Sequence, residues 1–102
     1  MELICVEIDE ELEDIVPGFL ENRRNDIVKL LSFFEERNYD ELERIGHKVS
    51  GSAGGYGFHD LGKIAKSIEI NAPKNNDDEL SRLITEFKGY VENLEIRYIK
   101  VD

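Results

Sequence analysis

The sequence has no tryptophan, one cysteine, one methionine and two prolines, and its 13 basic residues are outnumbered by 23 acidic ones. Each shortage excludes something. With Cys5 alone there is no intramolecular disulfide and no cysteine-rich metal site, which suits a reducing compartment. A formal charge of -10 argues against nucleic acid as a main partner, because affinity for a phosphate backbone comes from basic residues that release counterions. Basic or balanced protein partners fit better. No run approaches the roughly 18 apolar residues that a membrane helix needs, and the opening MELICVEI is too short and too acidic for a signal peptide. The expectation is a cytoplasmic protein with no membrane association. At 102 residues there is room for one core, so a single domain is expected over residues 1–102.

What is present is helical patterning. Residues 1–8 read as an extended arm or a small strand, with LICVEI short and β-branched. Asp9 is a cap candidate for a short helix over EELEDIV, and Pro17 marks a kink or a helix start near residues 15–18. An apolar stripe then runs through Val16, Phe19, Leu20, Ile27, Leu30, Leu31 and Phe34. Leu42, Ile45, Val49, Ala53 and Tyr56 make the next stripe, with Asp40 as its cap. Leu61, Ile64, Ala65, Ile68 and Ala72 make another, closed by the loop NAPKNND. The last stripe, capped by Asp77 or Asp78, extends from Leu80 through Leu94 to Tyr98. The fold class expected is all-α: an antiparallel four-helix bundle with a short N-terminal arm and helix, helical over about residues 9–99.

The stretch GHKVSGSAGGYGF, residues 46–58, departs from ordinary helix composition while keeping the stripe. A helix turns about 100° per residue, which gathers Leu42, Ile45, Val49, Ala53 and Tyr56 into a sector of roughly 80° and sets His47 about 160° from its centre. His47 therefore faces outward, beside Gly51, Gly54 and Gly55. Glycine inside a helix costs about 1 kcal/mol relative to alanine, so an exposed glycine strip implies that something must approach closely. A linker would have no reason to keep the stripe. A nucleotide phosphate loop is excluded because Ala53 breaks G-x-G-x-x-G, no lysine follows Gly51 and no strand precedes it. Gly46, nearer the core side, suits tight helix contact.

The stretch resembles the signature of histidine-containing phosphotransfer domains, H-x-L-K-G-S followed by a further glycine and a leucine. The matching residues are His47, Val49 in place of leucine, Gly51, Ser52, Gly57 and Leu61. The resemblance implies a monomeric helical carrier with no cofactor of its own. His47 would accept a phosphoryl group, on the ring nitrogen farther from the backbone, from a phospho-aspartate and pass it to another receiver. Response-regulator receiver domains or a hybrid histidine kinase would be the partners, and magnesium would reside on the receiver. One departure stands out: Ser50 occupies the position of the family's lysine.

Several cations are candidates for that missing charge. Lys48 lies about 100° around the helix from His47. Arg23 sits on an apolar stripe with Arg24 on its flank; Arg23 is either a snorkelling or ion-paired structural residue or a guanidinium reaching toward His47. Lys63 and Lys66 face outward near the level of residues 49–52, as receiver contacts or as solvated lysines. Together with Ser50, Gly51 and Gly54 these residues are the candidate phosphoryl-binding or partner-binding set. A different reading is an interaction module that binds a partner through the same face without phosphorylation. An enzyme using His47 and His59 as an acid and base pair is disfavoured, since the two lie on separate helices and no supporting acidic residue is evident for them.

Overall fold

The computed structural model describes residues 3–101. Its elements are β1 (Ile4–Asp9), a 3-10 turn (Glu10–Leu12), α1 (Val16–Glu35), α2 (Tyr39–Ser52), a second 3-10 turn (Ala53–Tyr56), α3 (His59–Asn71), α4 (Asp77–Glu92) and β2 (Leu94–Ile99). Pro17 sits in the first turn of α1, where its missing amide hydrogen costs nothing. Asp9 caps the first 3-10 turn by accepting from the Glu11 amide.

Two helix starts differ from the sequence expectation. Asn38, not Asp40, caps α2 by accepting from the Glu41 amide, and Asn76, not Asp77 or Asp78, caps α4 by accepting from the Glu79 amide. The aspartates fall in the first turns instead, where negative charge meets the positive end of the helix dipole. Each cap follows a left-handed residue, Arg37 (φ 56°) or Asn75 (φ 52°), that reverses the chain tightly.

A larger correction concerns residues 94–99. The helical stripe drawn through Leu94 and Tyr98 is a strand, β2, and its partner, β1, takes up the expected N-terminal arm from Ile4 onward, residues 1–2 of that arm lying outside the described residues. The two pair in parallel with Ile4 opposite Leu94 and Asp9 opposite Ile99. Leu94 and Tyr98 are four apart, a spacing that fits one face of a helix and one face of a strand equally well. The intervening Ile96, half-buried between exposed Glu95 and Arg97, fits only the strand. The molecule is therefore mostly helical with a small parallel sheet, rather than all-α.

The helices bury one core. α1 packs against α2 and α4, and α3 packs against the same two. Leu30, Leu42, Val49, Phe58, Leu61, Ile68, Leu80 and Phe87 are fully enclosed, and Ile8 brings the sheet into the same cluster. Gly57 has φ 93°, and a side chain there would collide with Ile8. This turn separates α2 from α3 and makes their hairpin tight. Gly46 lies against the backbone of Ala65 and Glu69, while Gly62 lies beside Ser50 and Ala53. α2 and α3 thus run in opposite directions at close range.

Candidate functional site

α2 presents His47 on its exposed side, with 76% of the side chain open to solvent. The α-helix ends at Ser52 rather than continuing to Tyr56, and Ala53–Tyr56 tighten into 3-10 geometry. Nothing lies within 4 Å of the position a side chain would occupy at Gly51 or Gly55, so the surface beyond His47 is bare. At Gly54 the nearest group is the His59 ring.

The imidazole is nonetheless held. Its Nδ1 lies 2.6 Å from Glu69 Oε2 on α3, and the other Glu69 oxygen accepts from Lys66 Nζ at 3.0 Å. Gly46 permits this contact, because it lets the α3 backbone at Glu69 come up against α2. The Lys66 hydrogen bond is the main influence that lowers the Glu69 carboxyl below its ordinary value, against partial burial and with help from the His47 contact. An ionised carboxylate only accepts hydrogen bonds. The proton of neutral imidazole therefore sits on Nδ1, leaving Nε2 with its lone pair toward solvent.

Glu69 was absent from the sequence reading, which found no acidic residue to support the histidine. A signal existed in the α2–α3 hairpin: counting equal numbers of residues outward from Phe58 brings position 47 opposite position 69. Without knowing that Gly57 and Phe58 form the turn, that count has no origin.

The candidate cations divide between two sides of α2. Lys48 points to α1, where its ammonium lies 3.0 Å from Asp26 Oδ1. Arg23 does not reach toward His47. It is buried, with Nε 2.9 Å from Asp26 Oδ2 and its guanidinium over the Phe19 ring. One buried carboxylate thus sits between two cations and ties α1 to α2. A buried charge needs such a partner, which makes the ion-paired structural reading of Arg23 the better one. Arg24 pairs with Glu21 on the exposed side of α1.

Lys63 and Lys66, by contrast, lie on the α3 side. They line a cleft of about 390 Å³ with Ser50, Gly54, His59 and Gly62. The Ser50 hydroxyl donates to the His47 carbonyl at 3.0 Å, turned back on its own helix. The structure therefore brings Lys66 to the histidine through Glu69, sets Lys63 and Ser50 in the adjoining cleft, and leaves Lys48, Arg23 and Arg24 in other pairings.

Among the described residues no cluster of three or more His, Cys, Asp or Glu side chains could hold a metal ion, and no helix is long and apolar enough to cross a membrane. In comparisons with known proteins, the family model for the Hpt domain matches residues 2–96. No curated protein and no solved structure matches the chain.

Proposed function

Since the chain belongs to the Hpt domain family, whose work is histidine phosphotransfer in two-component signalling, we propose that His47 is the phosphoacceptor of a relay between receiver domains. The observation that carries this reading is the Glu69 contact at Nδ1, which leaves Nε2 exposed as the nucleophile. In the step proposed, the Nε2 lone pair attacks the phosphorus of a receiver aspartyl phosphate. The P–O bond breaks, the aspartate carboxylate departs with the electron pair, and an N–P bond forms. Positive charge grows on the ring as it does so, and Glu69 offsets it through the Nδ1 hydrogen.

Phosphoryl transfer needs alignment and charge neutralisation more than covalent machinery. The receiver would supply the aspartate and its magnesium, and this chain the imidazole and the bare strip at Gly51 and Gly55. Four helices packed as an antiparallel bundle would serve as a rigid mount. We read the chain as one domain, acting as a monomer in the cytoplasm and lacking kinase chemistry of its own. Response-regulator receivers or a hybrid histidine kinase are its partners in this reading.

The test is incubation with a phosphorylated receiver domain, followed by chasing to a second receiver. Acid-labile label should appear on this chain and move onward, and His47→Gln should abolish it. Label persisting in His47→Gln would remove His47 as the acceptor. The second reading, a docking module that is never phosphorylated, draws on Ser50 in the lysine position. It expects receiver binding without label in the unaltered protein.

A further inference from the structure

Glu69 orients the imidazole but creates an electrostatic problem. It places a carboxylate on Nδ1, across the same small ring from the Nε2 that must receive a dianionic group. A like charge at that range opposes the transfer unless a cation intervenes. Around α2, Lys48 and Arg23 share Asp26, Arg24 pairs with Glu21, and Arg44 pairs with Glu41. Lys66 is different, because it sits on the same carboxylate that holds His47. Its side chain remains 58% exposed and lines the cleft that Ser50 borders from the other helix.

Building on the reading of His47 as acceptor, we propose that this cleft is the oxyanion seat for the transferred phosphoryl group, and that Lys66, reaching from α3, supplies the cation absent at Ser50. Gly54 and Gly62 keep the cleft open, since neither puts a side chain into it. As the N–P bond forms, the Lys66 ammonium turns from Glu69 Oε1 to the phosphoryl oxygens. Glu69 Oε2 meanwhile keeps the Nδ1 hydrogen. Only hydrogen bonds are exchanged by this movement. An ammonium on a flexible four-carbon stem suits it better than a fixed fork of donors would.

A surface Lys–Glu pair three residues apart is also a common feature of helices with little energetic weight, so the test must separate the two roles. Transfer from a phosphorylated receiver is timed for the unaltered protein, Lys66→Gln, Ser50→Lys and the Lys66→Gln/Ser50→Lys double variant. Circular dichroism follows the fold in each. Loss of a charge-assisted hydrogen bond to the phosphoryl group should slow Lys66→Gln about tenfold or more. Lysine at position 50, approaching the same cleft from α2, should restore most of that loss in the double variant. Lys66→Gln transferring at the unaltered rate would overturn the proposal, as would a slow Lys66→Gln that Ser50→Lys fails to rescue. Both of those results leave label on His47 and so leave the acceptor reading standing. Label that survives His47→Gln removes that reading instead, and this one with it.

Discussion

A carboxylate bound to one nitrogen of an imidazole decides what the other nitrogen can do. Glu69 takes the Nδ1 hydrogen of His47, so a neutral ring facing a partner always presents Nε2. The Glu69 pKa is lowered first by Lys66 and less by His47, while partial burial works against both. For a depressed carboxylate, the stabilising contribution is present above the unfolded-state pKa and is lost as pH falls through the folded one. The clamp on His47 should therefore survive acidification into the ordinary carboxylate range and open only below it. A carbon-detected NMR titration of the Glu69 carboxyl checks this, and Lys66→Gln should move its midpoint upward toward the ordinary value. A midpoint unmoved by Lys66→Gln would show that the lysine does not hold the carboxylate in solution. At this scale the sequence displayed His47 and its bare neighbours plainly, because both follow from the angular arithmetic of one helix. Glu69 and the Arg23–Asp26–Lys48 cluster depend on contacts between helices, and no single-helix period encodes them.

The glycines of α2 sort by what faces them. Gly46 meets backbone: a methyl group there would lie 2.7 Å from both the Ala65 oxygen and the Glu69 nitrogen. Gly46→Ala should cost about 1–3 kcal/mol through forced separation of α2 and α3, and should slow phosphotransfer by drawing Glu69 away from the ring. Gly51 meets nothing, so Gly51→Ala should leave stability unchanged or raise it by up to about 1 kcal/mol. Gly51→Leu should keep the fold and slow transfer by obstructing the partner. Thermal melts and transfer rates, measured together, distinguish the two glycines; equal behaviour would sink the division between a packing glycine and a docking glycine. The element boundaries show where periodicity stops being informative. α1, α3 and most of α4 were legible because three or more turns of stripe exclude a strand. Leu94 and Tyr98 were not, since two apolar residues four apart satisfy both periods and the strand's partner lies at the opposite end of the chain.

Across the whole molecule, the parallel sheet joins β1 to β2 over nearly the full length of the sequence, and Ile8 carries that junction into the core. Ile8 is 1% exposed, and its side chain presses against the turn at Gly57 that sets the α2–α3 hairpin. Ile8→Ala should therefore destabilise the protein by about 2–5 kcal/mol, read by denaturant unfolding. A loss well under 1 kcal/mol would mean that the sheet is an appendage rather than part of the core. The N-terminal arm's apolar residues were visible in the sequence, yet their role was not. Six residues can form an arm or a strand, and only the register with residues 94–99 decides between them.

That register also fixes how the molecule would bear a load. Because the strands are parallel, β1 is entered beside the start of β2, and β2 is left beside the end of β1. Tension applied between residues 3 and 101 would pull the strands lengthwise past one another and strain the ladder's hydrogen bonds together, rather than peeling them apart one at a time. The sheet would then act as a shear clasp across the two ends of the chain, keeping the surface around His47 in shape while the ends are pulled.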